Sequence, residues 1–167
     1  MLHLEKINAK NIWDVIDLKV AKNQKTFVAS NEDSILQAYT TIGTECTAFP
    51  FAICNEKKPV GFLMIGYNEA VMYDIYEDIK VPEILRNNYS LWRLMIDKRY
   101  QGRGYGREAV KLALDFVRTF PCGKAEYCAL SYEPENEVAK KLYASFGFKE
   151  VPEYYKEGEE MPAILKL

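Results

Sequence analysis

A mixed α/β sheet in a single domain is what this sequence predicts, on three observations. Residues 91–96 form a strand-like apolar run, residues 101–106 read Gln-Gly-Arg-Gly-Tyr-Gly, and an amphipathic helical pattern occupies residues 104–118. Apolar runs of strand length recur on both sides of that unit, with helical runs between them. The length of 167 residues suits one domain with a sizeable core, and no repeat or linker divides it.

Residues 2–7 alternate apolar and polar side chains, as a half-buried strand does. Asn11 is placed to cap a helix carrying Ile12, Trp13, Val15, Ile16 and Leu18, and Asn31 a second through Ile35, Leu36, Tyr39 and Ile42. Residues 48–54 and 60–67 read as strands joined by the polar connection Asn55-Glu56-Lys57-Lys58-Pro59. Residues 68–89 are irregular, with Pro82 and Asn87-Asn88 as breakers. In the helix after the glycines, Val110, Ala113, Leu114 and Val117 recur at helical spacing opposite Arg107, Lys111, Asp115 and Arg118, and Pro121 and Gly123 end it. Residues 125–132 are the next strand and 135–146 the next helix. Gly147 suits the left-handed position after that helix, with Phe148 folded back on its last turn. The tail reads as two strands, 148–155 and 161–167, joined by an acidic turn at Gly158. The order is therefore β, α, α, three strands, α, β, α and two strands.

Composition excludes several classes. Apolar residues make up 49% and charged residues 28%, which is globular and not disordered. No apolar stretch approaches the roughly 18 residues of a membrane span, and the first residues carry no signal peptide, so a cytoplasmic protein with no membrane partner is expected. Cys46, Cys54, Cys122 and Cys128 form no Cys-x-x-Cys pair and His3 is the only histidine, so no metal is expected and the thiols are expected free and mostly buried. Ser-His-Asp and Cys-His mechanisms would rest on His3 alone and are set aside. The net charge of −2 argues against nucleic acid. Acidic residues cluster: Glu69, Asp74, Glu77, Asp78 and Glu83 against Lys80, then Glu150, Glu153, Glu157, Glu159 and Glu160 against Lys156. Such clusters are solvated loops or a mouth that attracts a cationic ligand.

The turn at 101–106 is a phosphate-binding device, because glycines admit a ligand to the backbone and free N–H groups at a helix start face an anion. A Walker-type loop would need Lys-Ser or Lys-Thr after its last glycine, whereas Arg107-Glu108 follows Gly106. A dinucleotide site would want Gly-x-Gly-x-x-Gly in the first strand–turn–helix unit, whereas the spacing here is Gly-x-Gly-x-Gly, past the middle of the chain. A coenzyme A pyrophosphate is the third reading. Gln101, Gly104 and Gly106 fit the pattern Gln/Arg-x-x-Gly-x-Gly/Ala after a strand ending Met95-Ile96-Asp97. Asn136, Ala139 and Tyr143 follow, with Phe146-Gly147-Phe148 behind them. In these residues the chain resembles the GNAT family of N-acetyltransferases, in element order throughout and most closely over residues 90–148.

The resemblance implies a central, mostly antiparallel, splayed sheet flanked by about four helices, with acetyl-CoA as co-substrate. It implies that backbone groups of Leu94, Met95 and Ile96 pair with the pantetheine arm. It also implies that N–H groups from Gln101 through Gly102, Arg103, Gly104, Tyr105 and Gly106 to Arg107 receive the pyrophosphate, with added charge from Arg103 and Arg107. Asn136 would hold the pantetheine or its surroundings, and Tyr143 would protonate the departing thiolate as general acid. Their separation of seven residues, about 700° of helical turn, places both on one face. Without the resemblance Tyr143 reads as a core aromatic.

The acceptor amine, with a pKa near 10, must lose a proton before it attacks. Family members acting on polyamines often carry a carboxylate where this chain has Trp92, with Arg93 after it. Glu133, before Pro134, is the substitute candidate base; the same position suits a helix-start carboxylate, and a water chain would serve without either. The likeness is greatest to the spermine/spermidine branch, carried by residues 94–101 and Leu142-Tyr143. The acidic clusters suit a polycation, whose methylenes and charges Tyr67, Tyr73, Tyr76 and Tyr89 could face. The expectation is transfer of acetyl to a small polyamine. A peptide N-terminus, a protein lysine or an aminoglycoside are alternative acceptors, and a non-catalytic acyl-CoA-binding module is the alternative to an enzyme. The resemblance also makes a homodimer an expectation.

Overall fold

The computed structural model describes residues 1–74 and 83–167; Tyr76, Glu77, Asp78, Lys80 and Pro82 lie outside them. The elements follow the predicted order: β1 (Leu2–Lys6), α1 (Ile12–Ile16), α2 (Asn31–Thr40), β2 (Thr47–Asn55), β3 (Lys58–Tyr67), β4 (Tyr89–Ile96), α3 (Tyr105–Val117), β5 (Tyr127–Tyr132), α4 (Glu137–Ala144), β6 (Lys149–Glu150) and β7 (Met161–Lys166). The strands form one seven-stranded sheet in the order β1-β2-β3-β4-β5-β7-β6. Every pairing is antiparallel except β4 with β5.

The central strands are apolar on both faces because both are covered. On β2 and β3, Phe51, Ile53, Leu63 and Ile65 join the cluster that holds Val110, Leu114 and Val117 of α3. Their neighbours Ala52, Cys54, Phe62 and Met64 join the opposite cluster with Val15 and Leu18. Helix α3 buries the predicted stripe of Val110, Ala113, Leu114 and Val117; each larger side chain contributes roughly 1.5–3 kcal/mol. Gly61 makes the tight β3–β4 pairing possible, since a Cβ there would stand 2.5 Å from Met95 O.

Three local expectations are corrected. Ser30, not Asn31, caps α2, accepting from Asp33 N at 3.0 Å. Asn31 is buried instead, and its amide donates to Val15 O at 2.8 Å, tying α2 to α1. Asn11 makes no side-chain cap bond on α1; its side chain bonds back to Asn8 N, Glu5 and Lys6 O. The tail strand predicted over 148–155 shrinks to β6, because the chain turns into a 3-10 helix, Pro152–Tyr154, led by the proline. In addition, Trp13, Leu36, Tyr39 and Ile42, read as helix-face apolar positions, stand exposed.

Candidate active site

Strands β4 and β5 pair only at Tyr89 with Cys128 and Ser90 with Ala129, then part. The parting has a local cause. The β3–β4 register shifts between Met64, opposite Arg93, and Ile65, opposite Leu91. Trp92 is the extra residue, and such a bulge bends its strand. The splay opens a cleft of about 1130 Å³ lined by β4 on one side and β5 on the other.

At one part of the cleft lies the glycine-rich loop. Gly102 and Gly104 take left-handed φ values of 75° and 79°, and Gly104 is the N-cap of α3. A helix N-cap in that conformation needs glycine, and it leaves the first-turn N–H groups without carbonyl partners. Leu94, Met95, Ile96, Gln101, Gly102, Gly104, Tyr105 and Gly106 all line the cleft. The Gln101 side chain is occupied in shaping the loop, donating to Ile96 O and to Gln24 Oε1, both at 2.9 Å. The two predicted arginines stand outside the lining. Arg103 donates to Arg99 O and its guanidinium lies 5.6 Å from the Tyr100 ring centroid. Arg107 donates to Ser145 Oγ at 2.7 Å and lies over Phe146. The loop therefore offers the cleft backbone N–H groups and the helix dipole, a donor set that fits an anion such as a pyrophosphate.

The loop is anchored by Asp97, buried directly after β4. Its carboxylate accepts from Lys19 N, Arg99 N and the Arg99 guanidinium. Burial alone would raise this carboxyl; the hydrogen bonds from Arg99 and Lys19 outweigh it and hold its pKa at about 2. A depressed folded pKa stabilises above the unfolded value and loses that contribution as pH falls from about 4 to about 2. Asp97→Asn is accordingly expected to cost about 2 kcal/mol at neutral pH. Its unfolding midpoint should converge on the wild-type value in acid; denaturant melts across pH would measure this.

Helix α4 closes the other wall. Asn136 caps it, accepting from Ala139 N at 3.1 Å, and lines the cleft together with Ala139, Leu142 and Tyr143. A Cβ on Gly106 would lie 3.7 Å from Leu142, so α4 abuts the loop. The Tyr143 ring is pinned between Tyr132 and Phe148, each at 5.9 Å between centroids. Gly147 at φ 93° and the bond from Phe148 N to Tyr143 O fold Phe148 back as expected. The Tyr143 hydroxyl receives no hydrogen bond from another described residue. Burial, then Glu160, push its pKa well above that of a free tyrosine, so it keeps its proton at neutral pH.

Glu133 also lines the cleft; burial, then Glu160 and Glu135, raise its carboxyl. The structure adds a carboxylate that the sequence left among the loop acids. Glu69 is 6% exposed and lines the cleft. Glu159 and Glu160 join it there, whereas Asp74 and Glu83 pair with Arg86. Of the four tyrosines expected around a substrate, Tyr73 reaches the cleft. Tyr67 and Tyr89 instead pack on each other at 5.0 Å, and Tyr89 is spent on Cys122 N and Gly123 O. All four cysteines are free and three are buried; burial first of all holds the Cys46 and Cys128 thiols up at about 12, as inert neutral groups. Among the described residues His3, Glu5 and Cys54 are the one grouping of possible metal ligands, on β1 and β2, away from the cleft. No helix of the described residues is long and apolar enough to cross a membrane.

A sheet split at its one parallel pair, a glycine-rich helix start beside the split and a buried tyrosine across from it define an acyltransferase class. The chain belongs to the acetyltransferase (GNAT) family, whose model matches residues 13–148. It is 32% identical over 151 residues to the spermine/spermidine N(1)-acetyltransferase of Bacillus subtilis strain 168, covering 86% of this chain and 88% of that protein. Its fold matches that of the Vibrio cholerae spermidine N-acetyltransferase solved with CoA and spermine, with a TM-score of 0.64, 18% identity and coverage of 99% and 94% of the two chains. An aminoglycoside acetyltransferase solved with coenzyme A matches with a TM-score of 0.71, 13% identity and coverage of 99% and 95%. The mixed, mostly antiparallel fold and the acetyltransferase activity expected from the sequence are thus those of its family.

Proposed function

We propose that the protein moves an acetyl group from acetyl-CoA to a primary amine of a small polyamine such as spermidine or spermine. One observation carries the reading: a single cleft joins the anion-ready helix start, Tyr143 and an acidic lining of Glu69, Glu133, Glu159 and Glu160. An acidic, water-accessible cleft draws in polycations and disfavours anionic acceptors. The relative from Bacillus subtilis supports the same acceptor class.

Acetyl-CoA supplies an acetyl group activated as a thioester. The N–H groups at the start of α3 and of Gly102 and Gly104 receive its pyrophosphate, and the backbone of Leu94, Met95 and Ile96 offers partners to its amides. Asn136 fixes the start of α4 and so the height of Tyr143 in the cleft. Tyr143, kept protonated by burial, donates its proton to the leaving sulfur. Arg103 and Arg107, turned to their own partners, contribute at most a long-range positive field.

The test is a panel of amines incubated with acetyl-CoA, with thiol release and product mass as readouts. Acetylated spermidine or spermine is the expected product. Turnover restricted to peptide N-termini, lysines or aminoglycosides would replace the acceptor. Tight CoA binding with no turnover on any amine would make the chain a binding module.

A further inference from the structure

From the position of Glu69 at the root of the splay, we infer that its carboxylate holds the acceptor's ammonium and takes its proton. This rests on the amine-acetyltransferase reading above and names the residue that completes it. Glu69 begins the 3-10 turn after β3, just past Asn68 in the left-handed conformation. It reaches Ser90, and Ser90 with Ala129 is the last pair before β4 and β5 part. Ser90 Oγ donates to Oε2 at 2.6 Å, and the Tyr73 hydroxyl donates to Oε1 at 3.1 Å. Space for this arrangement comes from Gly66, where a Cβ would stand 2.7 Å from Ser90 Oγ, 3.1 Å from Trp92 and 3.6 Å from Glu69 Oε2.

The carboxylate is buried, oriented from two sides and without a counter-ion among the described residues. Arg93, the nearest cation from β4, gives its terminal nitrogens to Trp92 O and Gln37 Oε1. A buried carboxylate with no ion pair is costly, and such groups in clefts mark functional positions. Burial raises its pKa; the Ser90 and Tyr73 hydrogen bonds and Arg93 act against that, and Glu160, which precedes β7, adds to it. A buried carboxyl poised upward and oriented by two donors is better placed to take the proton than the less buried Glu133. Trp92 fills the β4 position where the resemblance leads one to expect an acid, and Glu69 supplies that acid from the end of the neighbouring strand.

The balance is simple. The ammonium gives one proton to Glu69, and its freed lone pair forms the C–N bond as the C–S bond breaks. The thiolate takes the Tyr143 proton. The second nitrogen proton leaves as the amide forms and restores the tyrosine, while Glu69 returns the first to solvent.

The experiment compares wild type, Glu69→Gln and Ser90→Ala on an accepted amine across pH, with KM for acetyl-CoA and thermal melts alongside. Glu69→Gln should lose about 10- to 100-fold in kcat/KM for the amine near pH 7 and recover toward pH 9–10, where free amine is abundant. Its KM for acetyl-CoA should not change. Ser90→Ala, which removes one orienting donor, should lose several-fold with the same pH trend. A merely structural role would lower the rate equally at all pH values or unfold the protein, and either result overturns the assignment if Ser90→Ala also lacks the trend. A full-rate Glu69→Gln enzyme with the loss in Glu133→Gln instead overturns it as well. If wild type acetylates no amine, the reading of the whole site fails, and this inference with it; if it does and Glu69→Gln keeps its profile, only this inference fails.

Discussion

Tyr143→Phe should lower kcat by about 10²-fold, close to 2.7 kcal/mol of transition-state stabilisation, with the affinity for acetyl-CoA little changed. The substitution removes one oxygen and leaves the ring, so contacts with Tyr132 and Phe148 persist and the wall of the cleft stays in place. What is lost is the proposed proton donor, a hydroxyl that burial keeps protonated. Sulfur must then leave as an unassisted thiolate or wait for water. Single-turnover rates with saturating amine, set beside CoA titrations of the same variant, separate chemistry from binding. An unaltered rate would mean that another group reprotonates the thiolate.

The second large effect is at the loop. Gly104→Val should weaken acetyl-CoA binding by roughly 10²- to 10³-fold. Two causes add. The φ of 79° at Gly104 is strained for any β-branched residue, so the N-cap would shift and carry the first-turn N–H groups with it. A side chain would also stand where the anion must approach the backbone. Apart from its chain neighbours, no atom of the described residues lies within 4 Å of the added Cβ, so crowding inside the protein is not the reason. The variant should consequently fold, with a melting temperature lowered only modestly, while isothermal titration reports the lost affinity. Full binding would remove the loop from the site.

The proposed cofactor half of the site rests on signals that are local and therefore legible in the sequence. Glycine spacing, the helical period of Val110 to Val117 and the Asn136-to-Tyr143 interval each lie within one element. The boundaries of α3 and its cap at Gly104 follow from them. The proposed acceptor half depends on contacts across the sheet. Glu69 and Ser90 are 21 residues apart, one within the irregular segment and one just past it, and no local pattern joins them. Glu69 looked like any other loop acid, although Gly66 three residues earlier was a clue to close approach. The cap of α2 departs from the sequence expectation for a similar reason. Ser30 and Asn31 are both good cap residues, and a tertiary bond from Asn31 to Val15 decided between them. Trp92 read as a departure from the family pattern, but its second role, as the extra residue of the bulge, is visible only in the register.

The two-pair junction of β4 and β5 gives the molecule an interior seam. Each strand is a full sheet member on its outer side, β4 against β3 and β5 against β7. On their inner sides the backbones beyond Ser90 and Ala129 face each other across open space, like the edges of two separate sheets. Edge strands on a protein's exterior invite stray pairing with other chains. Here the edges face a cleft that residues of α3 and α4 also line, so the tendency to pair is reserved for whatever enters the seam. On the reading proposed above, a co-substrate with amides along its length would act as mortar between two half-sheets, and its binding energy would become part of the cohesion of the fold.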